Sequence, residues 1–171
     1  MKILFKIIRK LIIKDININR EIRKMMKYRV LLENNKEKIL RRKFYSFLVN
    51  YYHNKIFIKY NCDIHIDAKI KNVNFHHPIG IVIENGTEIN DNVVVLQNVT
   101  FGSLDFEKRG TIKYGRVYKQ IIGKNTVICA GAKILGDVTI GENCIVGANA
   151  IVTKDVPDGA TVVGYNKIIL K

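Results

Sequence analysis

The sequence predicts a mainly β protein: a parallel β-helix of six-residue repeats, preceded by a short α-helical segment. Aliphatic residues recur at every sixth position, at Ile122, Ile128, Ile134, Ile140, Val146 and Val152. A small or β-branched residue follows each of them four positions later, at Thr126, Ala132, Val138, Cys144, Ala150 and Val156. An α-helix repeats about every 3.6 residues and a strand about every 2, so neither alone explains this period. Hexapeptide periods indicate a parallel β-helix.

Each hexapeptide supplies one short strand and one corner, and three hexapeptides close one coil. The aliphatic side chain points into the prism, and the residue four positions later sits inside the next corner, where only a modest side chain fits. The segments Ile83–Thr100, Ile122–Thr139 and Ile140–Pro157 therefore form three successive coils. Each coil buries its inward residues only against its neighbours, so the open ends of the stack need caps.

The repeat starts at Ile64 and Ile70 and is interrupted twice. Between Ile70 and Ile83 thirteen residues replace twelve, which puts one extra residue near His77. Residues 103–120 then form an insertion that is charged, aromatic and glycine-containing. Insertions in a solenoid leave at corners and often line the binding face, so we expect this one to be functional.

The first 60 residues form a separate basic segment with a helical spacing of apolar residues. They contain 17 Lys and Arg residues against 4 Asp and Glu, a net charge of +13, whereas residues 61–171 contain 12 against 11, a net of +1. We therefore predict a basic α-helical segment at 1–60, with a break at Asn34-Asn35, and a β-helical domain at 61–171. The charge indicates an acidic partner: a membrane surface, phosphates or nucleic acid.

Residues 1–14 predict a basic amphipathic helix, with Lys and Arg on one stripe and Ile and Leu on the opposite face. Two interpretations stay open: the helix lies in a membrane interface, or it packs against its own trimer or caps the solenoid. Its apolar run is too short to span a membrane, and no secretory cleavage site follows it.

Three cysteines without a CxxC pair or disulfide framework suit a reducing compartment. We therefore expect a cytoplasmic protein, at the inner face of the cell membrane if residues 1–14 bind there. No helix-turn-helix, zinc spacing or aromatic platform supports nucleic-acid binding.

The residues best suited to catalysis lie near the first interruption, and they are Asp63, His65, His76 and His77. Histidine moves protons near neutral pH, and a carboxylate that orients it makes it a better base. Asp63 and His77 are 14 residues apart, less than one 18-residue coil. This spacing is compatible with contact within one subunit, with contact across a subunit interface, and with a purely structural histidine.

Five stretches carry a family resemblance: DIHIDAKI (63–70), HHPIGIVI (76–83), VVLQNVTFG (94–102), ICAGAKILGDVTIGENCIVGANAIVTKDVP (128–157) and VVGYNKII (162–169). Together they resemble the serine acetyltransferase-like branch of the hexapeptide acyltransferases, and most of all the short bacterial enzymes that O-acetylate sugars of surface polysaccharides. The resemblance implies a left-handed parallel β-helix, acetyl-CoA as co-substrate and no metal. It also implies a homotrimer with active sites at the subunit interfaces.

The resemblance further implies roles for individual residues. In that family the histidine matching His77 is the general base that takes the proton from the acceptor hydroxyl, and the aspartate matching Asp63 orients it. The small residues Ala130, Gly131 and Ala132 match the corner beside which the pantetheine arm of CoA runs. Lys154 matches a position near the nucleotide end of CoA, and Lys167 lies within one residue of another.

Departures from the serine-specific pattern predict a sugar hydroxyl as the acceptor. Serine acetyltransferases usually carry an aspartate where this chain has His76, and an Arg-His-Pro element that residues 115–119 lack. A neutral polyol needs polar and aromatic contacts, for which His76, Tyr114 and Tyr118 are the candidates. The predicted function is therefore an acetyl-CoA-dependent O-acetyltransferase that acts on a sugar hydroxyl of a bacterial surface polysaccharide or its precursor.

Three alternatives stay open. The first is a serine O-acetyltransferase of cysteine biosynthesis, and the second is a β-helix without catalysis whose basic arm binds a membrane or a partner. The third is a zinc hydratase, which needs three converging histidines. Adjacent strand residues such as His76 and His77 point to opposite sides and no histidine follows them, which disfavours zinc.

Overall fold

The computed structural model describes residues 17–104 and 117–164, which form two α-helices followed by a β-helix. The helices are α1, Ile18–Asn34, and α2, Ile39–Tyr60. The strands, β1 to β14 in chain order, are Asp63–Ile64, Lys69–Ile70, Asn74–Phe75, Val82–Ile83, Glu88–Ile89, Val94–Val95, Thr100–Gly102, Gln120–Ile122, Val127–Ile128, Lys133–Leu135, Val138–Ile140, Ile145–Val146, Ile151–Val152 and Thr161–Val162. The predicted helix over residues 1–14 and the middle of the insertion lie outside the described residues.

The strands form three parallel sheets, which are the faces of a prism. The strand orders are β1-β4-β7-β10-β13, β2-β5-β8-β11 and β3-β6-β9-β12-β14. With one exception at the C-terminal end, each strand pairs with the strand three positions further along the chain, as a coil of three strands requires. The predicted left-handed parallel β-helix is confirmed, and its handedness departs from the usual right-handed crossover of parallel strands.

The core is the inward ladder that the six-residue repeat predicts. Every member of the series from Ile122 to Val152 is buried, and so is every small or β-branched residue four positions after each of them. Across the first sheet, Ile83, Phe101 and Ile134 are aligned in register and each is at most 1% exposed. Apolar side chains of successive coils therefore stack on each other, and this burial stabilises the solenoid.

The first interruption has a definite place in the register. The step from Lys69 to Asn74 is five residues, and the step from Asn74 to Val82 is eight, although these strand positions are equivalent in the coil. The chain thus loses one residue before β3 and gains two in the corner that contains His77 and Gly80. The net result is the single extra residue that the sequence predicts.

The insertion returns to the solenoid at a buried glutamine. Gln120 is fully buried at the start of β8, and its Nε2 donates to the carbonyl oxygens of Gly102 at 3.2 Å and Gly136 at 2.7 Å. Thr87 donates its hydroxyl to Gln120 Oε1 at 2.8 Å. Because all polar atoms of this amide are paired, the glutamine joins the two ends of the insertion to the neighbouring coils.

The two helices pack against the N-terminal end of the β-helix. Met25 of α1 and Ile56 of α2 are fully buried in the same apolar cluster as Ile64 of β1. Arg29 of α1 donates from Nε to Oδ1 of Asp67 at 2.6 Å, which ties the helix to the first coil. The helices therefore cover an end of the solenoid that would otherwise expose its core. No helix in the described parts of the chain is long and apolar enough to cross a membrane.

Candidate active site

One corner of the prism places His77 close to the predicted CoA corner. Strands β3, β6 and β9 are neighbours in one sheet and pair through their first residues. His77, Gln97 and Ala130 all lie in the corner that follows these strands, in successive coils. The His77 corner is two residues longer than the others, so Ile79 is the residue aligned with Gln97, and His77 lies in the extra turn: Asn98 N donates to Ile79 O as Gly131 N donates to Gln97 O. We call these three residues the corner column. Two coil spacings, about 10 Å along the prism, separate the coil that contains His77 from the coil that contains Ala130.

The backbone at His77 is held in an uncommon conformation. Its φ is +49°, in the left-handed region that few residues other than Gly, Asn, Asp and His adopt. The residues that follow are clamped from both sides, because Gly80 N donates to Asn61 O at 3.0 Å and Asn98 N donates to Ile79 O at 2.9 Å. The side chain of His77 is exposed. A rigid turn thus presents an accessible imidazole.

Asp63 contacts a different histidine within the single chain. Its Oδ1 lies 3.4 Å from Nε2 of His53 in α2, and among the described residues no hydrogen bond links it to His77. The two predicted catalytic groups still border the same face of the prism, because β4, which follows the His77 corner, pairs with β1 through Asp63 and Val82. His53 is not among the residues predicted from the sequence. The orienting role of Asp63 stays a prediction.

Residues 130–132 form the tight corner that the resemblance implies. Gly131 has a φ of +74°, and a Cβ atom there would lie 2.0 Å from Asn149 Oδ1, so both the backbone conformation and the close contact favour glycine. Gly131 N donates to Gln97 O, and Asn149 N donates to Ala130 O, both at 2.9 Å. Ala132 is fully buried and directs its methyl group into the core. Small side chains therefore leave the outer surface of this corner accessible.

Gln97 is a candidate site residue that the sequence analysis missed. Its side-chain oxygen Oε1 is buried and has no hydrogen-bond partner among the described residues. Buried polar atoms are normally paired, so this oxygen is an acceptor available to an N–H group of a ligand. Its position in the repeat is the signal that could have identified it: Gln97 follows Val94 by three residues, as Ala130 follows Val127, so the two residues are equivalent in neighbouring coils.

Lysine residues lie on the adjoining sheet face, which contains β10 and β13. Lys133, another residue that the sequence analysis missed, donates from Nζ to Asn98 O at 2.9 Å and to Thr100 Oγ1 at 3.0 Å. Its ammonium group is therefore fixed beside the corner column. Lys154 is exposed just after β13, whereas Lys167 lies outside the described residues.

The residues predicted to bind the acceptor differ in their exposure. His76 is exposed next to His77, whereas Tyr118 is only 5% exposed and presents little surface to a substrate. Tyr114 lies outside the described residues. His65 has a local structural contact, because the backbone N–H of Asp67 donates to its Nδ1 at 3.1 Å. Of the three described residues, the structure thus presents His76 as the accessible group beside His77.

Cys62, the residue next to Asp63, is not suited to covalent chemistry. Cys62 is fully buried beside Asp63 and donates from Sγ to Tyr60 O at 3.3 Å. Burial raises the pKa of its thiol, which disfavours the nucleophilic thiolate. Within residues 17–104 and 117–164, no group of three His, Cys, Asp or Glu side chains is placed to hold a metal ion.

Comparison with known proteins gives one protein family and a consistent set of relatives. Residues 121–154 match the family described as bacterial transferase hexapeptide (six repeats). The chain is 39% identical over 103 residues to a serine acetyltransferase of Helicobacter pylori, covering 60% of this chain and 56% of that protein. The soybean serine acetyltransferase apoenzyme superimposes with a TM-score of 0.65 and 34% identity, covering 82% of this chain and 52% of that one.

A solved serine acetyltransferase in complex with CoA is also similar, with a TM-score of 0.64 and 31% identity over 82% of this chain and 52% of that chain. The chain thus spans about half the length of the relatives that it matches. The part matched by the hexapeptide family, residues 121–154, includes the Ala130–Ala132 corner. The branch that the resemblance implies is therefore supported, whereas the comparisons do not support the narrower likeness to polysaccharide O-acetyltransferases.

Proposed function

We propose that this chain, which carries the hexapeptide repeats of bacterial transferases and is related to serine acetyltransferases, transfers acetyl from acetyl-CoA to a hydroxyl group. The observation that carries the proposal is the corner column, in which an exposed histidine on a rigid turn lies two coils from a glycine-containing corner. A base and a surface for a thioester substrate thereby lie along one edge of the prism, and holding two reactants together supplies much of the acceleration.

In the proposed reaction, the imidazole of His77 takes the proton of the acceptor hydroxyl as its oxygen attacks the thioester carbonyl. The carbon–sulfur bond then breaks, and the sulfur of CoA leaves with the proton that His77 returns. Asp63 would orient His77 once it contacts the imidazole, as an acid does in a hydrolase triad. No acyl-enzyme is required, because both substrates are held together.

Binding of acetyl-CoA would use backbone and cations rather than a dedicated pocket. The pantetheine arm would run along the Ala130–Ala132 corner, where Gln97 Oε1 offers an acceptor for one of its amide N–H groups. Lys154 and Lys167 are proposed to meet the phosphates, as the resemblance implies. The similar structure that contains CoA supports acetyl-CoA as the co-substrate.

Two acceptors have support. The comparisons favour L-serine, because the relatives reported above are serine acetyltransferases. A sugar hydroxyl of a surface polysaccharide or its precursor is the second candidate. It is favoured by His76, which stands exposed where serine-specific enzymes usually carry an aspartate, and by residues 115–119, which lack the Arg-His-Pro element.

We also propose that the chain assembles as a homotrimer in the cytoplasm. The outward positions of β6, β9 and β12 are Val94, Val127 and Ile145, with Ile145 46% exposed. A column of apolar side chains on a sheet face supports burial against another subunit. All three cysteines are free, which supports a reducing compartment. A solution mass of about three times 19.6 kDa is expected by light scattering, and a monomer would contradict the trimer.

The decisive experiment measures CoA release from acetyl-CoA by the purified full chain. The panel of acceptors contains L-serine, nucleotide sugars and polysaccharide fragments, with water alone as the blank. Release with L-serine supports the serine enzyme, and release with a saccharide supports the polysaccharide enzyme. Absence of release across the panel, together with absence of acetyl-CoA binding by calorimetry, would contradict the acetyltransferase proposal.

A further inference from the structure

Helix α2 exposes an apolar stripe along its outer face. Its members, with their exposed fractions, are Leu40 85%, Phe44 58%, Phe47 64%, Tyr51 49% and Ile58 83%. An α-helix turns about 100° per residue, so the spacings of these residues place all five within a stripe about 60° wide. Single exposed apolar residues are ordinary, whereas a contiguous row on one helix marks an interaction surface.

The same helix is strongly basic. It contains no Asp or Glu and five cationic residues: Arg41, Arg42, Lys43, Lys55 and Lys59. Lys55 lies 3.4 Å from Glu21, so one of these charges has an acidic neighbour. A groove of about 450 Å³ beside the stripe is lined by Phe47, Tyr51 and Ile58 together with Lys55 and Lys59. Apolar groups and cations thus open onto one surface, the basic apolar face.

We propose that the basic apolar face of α2 binds an anionic membrane surface. An anionic bilayer offers negative charge to the lysines and arginines and an apolar interior to the stripe, and the two attractions act together. Aromatic residues are well suited to that position, because Phe and Tyr rings enter the boundary between head groups and acyl chains. Since α2 is not apolar enough to cross a membrane, it would lie parallel to the surface.

Charge argues against two other occupants. Arg42 lies on the opposite side of the helix. A second copy of the chain that paired through this same face, as in a two-fold dimer, would therefore place two faces with four cations each against one another, and like charges repel at an interface. The N-terminal residues 1–14 carry five Lys and Arg residues and no acidic residue, so they too lack complementarity to this face.

The test compares variants of the full chain for sedimentation with vesicles. One set of vesicles contains phosphatidylglycerol and phosphatidylcholine, and the other contains phosphatidylcholine alone. We expect the wild type to bind the anionic vesicles, weakly at high salt. The double variant Phe44→Ser/Phe47→Ser should bind them about tenfold or more less tightly, because two rings lose their burial. Acetyl transfer to a soluble acceptor, where measurable, should be unchanged, since α2's outer face is separate from the corner column.

Phe57→Ser is the matched control, because Phe57 lies on the same helix with 51% exposure but about 100° away from the stripe. It should bind vesicles like the wild type. The proposal is overturned if the wild type binds neither set of vesicles, or if Phe57→Ser weakens binding as much as the double variant. It is also overturned if deletion of residues 1–14 abolishes binding while the double variant leaves it intact. A lower solution mass for the double variant would point to a second copy as the occupant.

Discussion

His77→Asn tests the central chemical inference with little structural disturbance. His77 already has a left-handed backbone with φ of +49°, a conformation that Asn adopts readily, whereas a residue such as Ala would add strain of about 1–2 kcal/mol. The side chain is exposed, so its loss should change the free energy of unfolding by less than about 0.5 kcal/mol. We expect the melting temperature to stay within about 2 °C of the wild type.

The catalytic cost should be far larger than the structural one. An amide cannot accept the proton of the acceptor hydroxyl, and a positioned general base contributes roughly 10²- to 10⁴-fold to the rate. That range corresponds to about 3–5 kcal/mol of transition-state stabilisation. The assay follows CoA thiol release at saturating acetyl-CoA and acceptor, with acetyl-CoA affinity measured separately by calorimetry. Affinity should be preserved, because the corner at residues 130–132 is unaltered.

His76→Asn is the matched control, since His76 is the adjacent exposed imidazole. We expect it to raise KM for the acceptor more than it lowers kcat, because it is proposed to bind rather than to transfer a proton. The reasoning would be refuted if His77→Asn kept kcat within tenfold of the wild type, or if both histidine variants lowered kcat equally.

Three further predictions address the surroundings of the site. Asp63→Asn should lower kcat less than His77→Asn does, and it should shift the pH–rate profile. His53→Gln should leave kcat and the pH–rate profile nearly unchanged. A larger effect of His53→Gln than of Asp63→Asn would assign the orienting role to His53. Gly131→Ala should lower the melting temperature by at least about 2 °C, because the new Cβ would lie 2.0 Å from Asn149 Oδ1 at a positive φ, and an unaltered melting temperature would contradict this. Burial raises the pKa of the Cys62 thiol in the folded state, so its contribution to stability should be complete below the ordinary thiol pKa and decline as the pH rises toward the folded value. Urea unfolding at several alkaline pH values measures this, and Cys62→Ala should flatten the slope.

Most of the candidate site was accessible from the sequence, and the part that was missed has a common cause. His77 and the Ala130–Ala132 corner lie within stretches whose residues resemble a known family. Gln97 and His53 escaped notice because their significance depends on neighbours that are 20 residues or more away, or that lie on another element. Gln97 matters because its coil lies between the coils of His77 and Ala130, and His53 because α2 packs against β1.

The insertion illustrates a related limit. Its length and composition predicted a functional segment, and Tyr118 was expected to face an acceptor. In the structure Tyr118 is 5% exposed, because the chain is already packed against the solenoid where it returns toward Gln120. Aromatic character alone does not distinguish a residue that packs from a residue that binds, since burial decides between the two.

The sequence by itself determined the solenoid, its inward ladder and the position of the interruption near His77. Those features follow from local periodicity, because a six-residue step leaves a pattern that needs no knowledge of distant contacts. Tertiary structure alone decided that the interruption combines a five-residue step with an eight-residue step, that Asp63 contacts His53, and that α2 exposes a basic apolar face. Each of these depends on how coils and helices pack, and packing brings together groups whose separation in the chain carries no periodic signal.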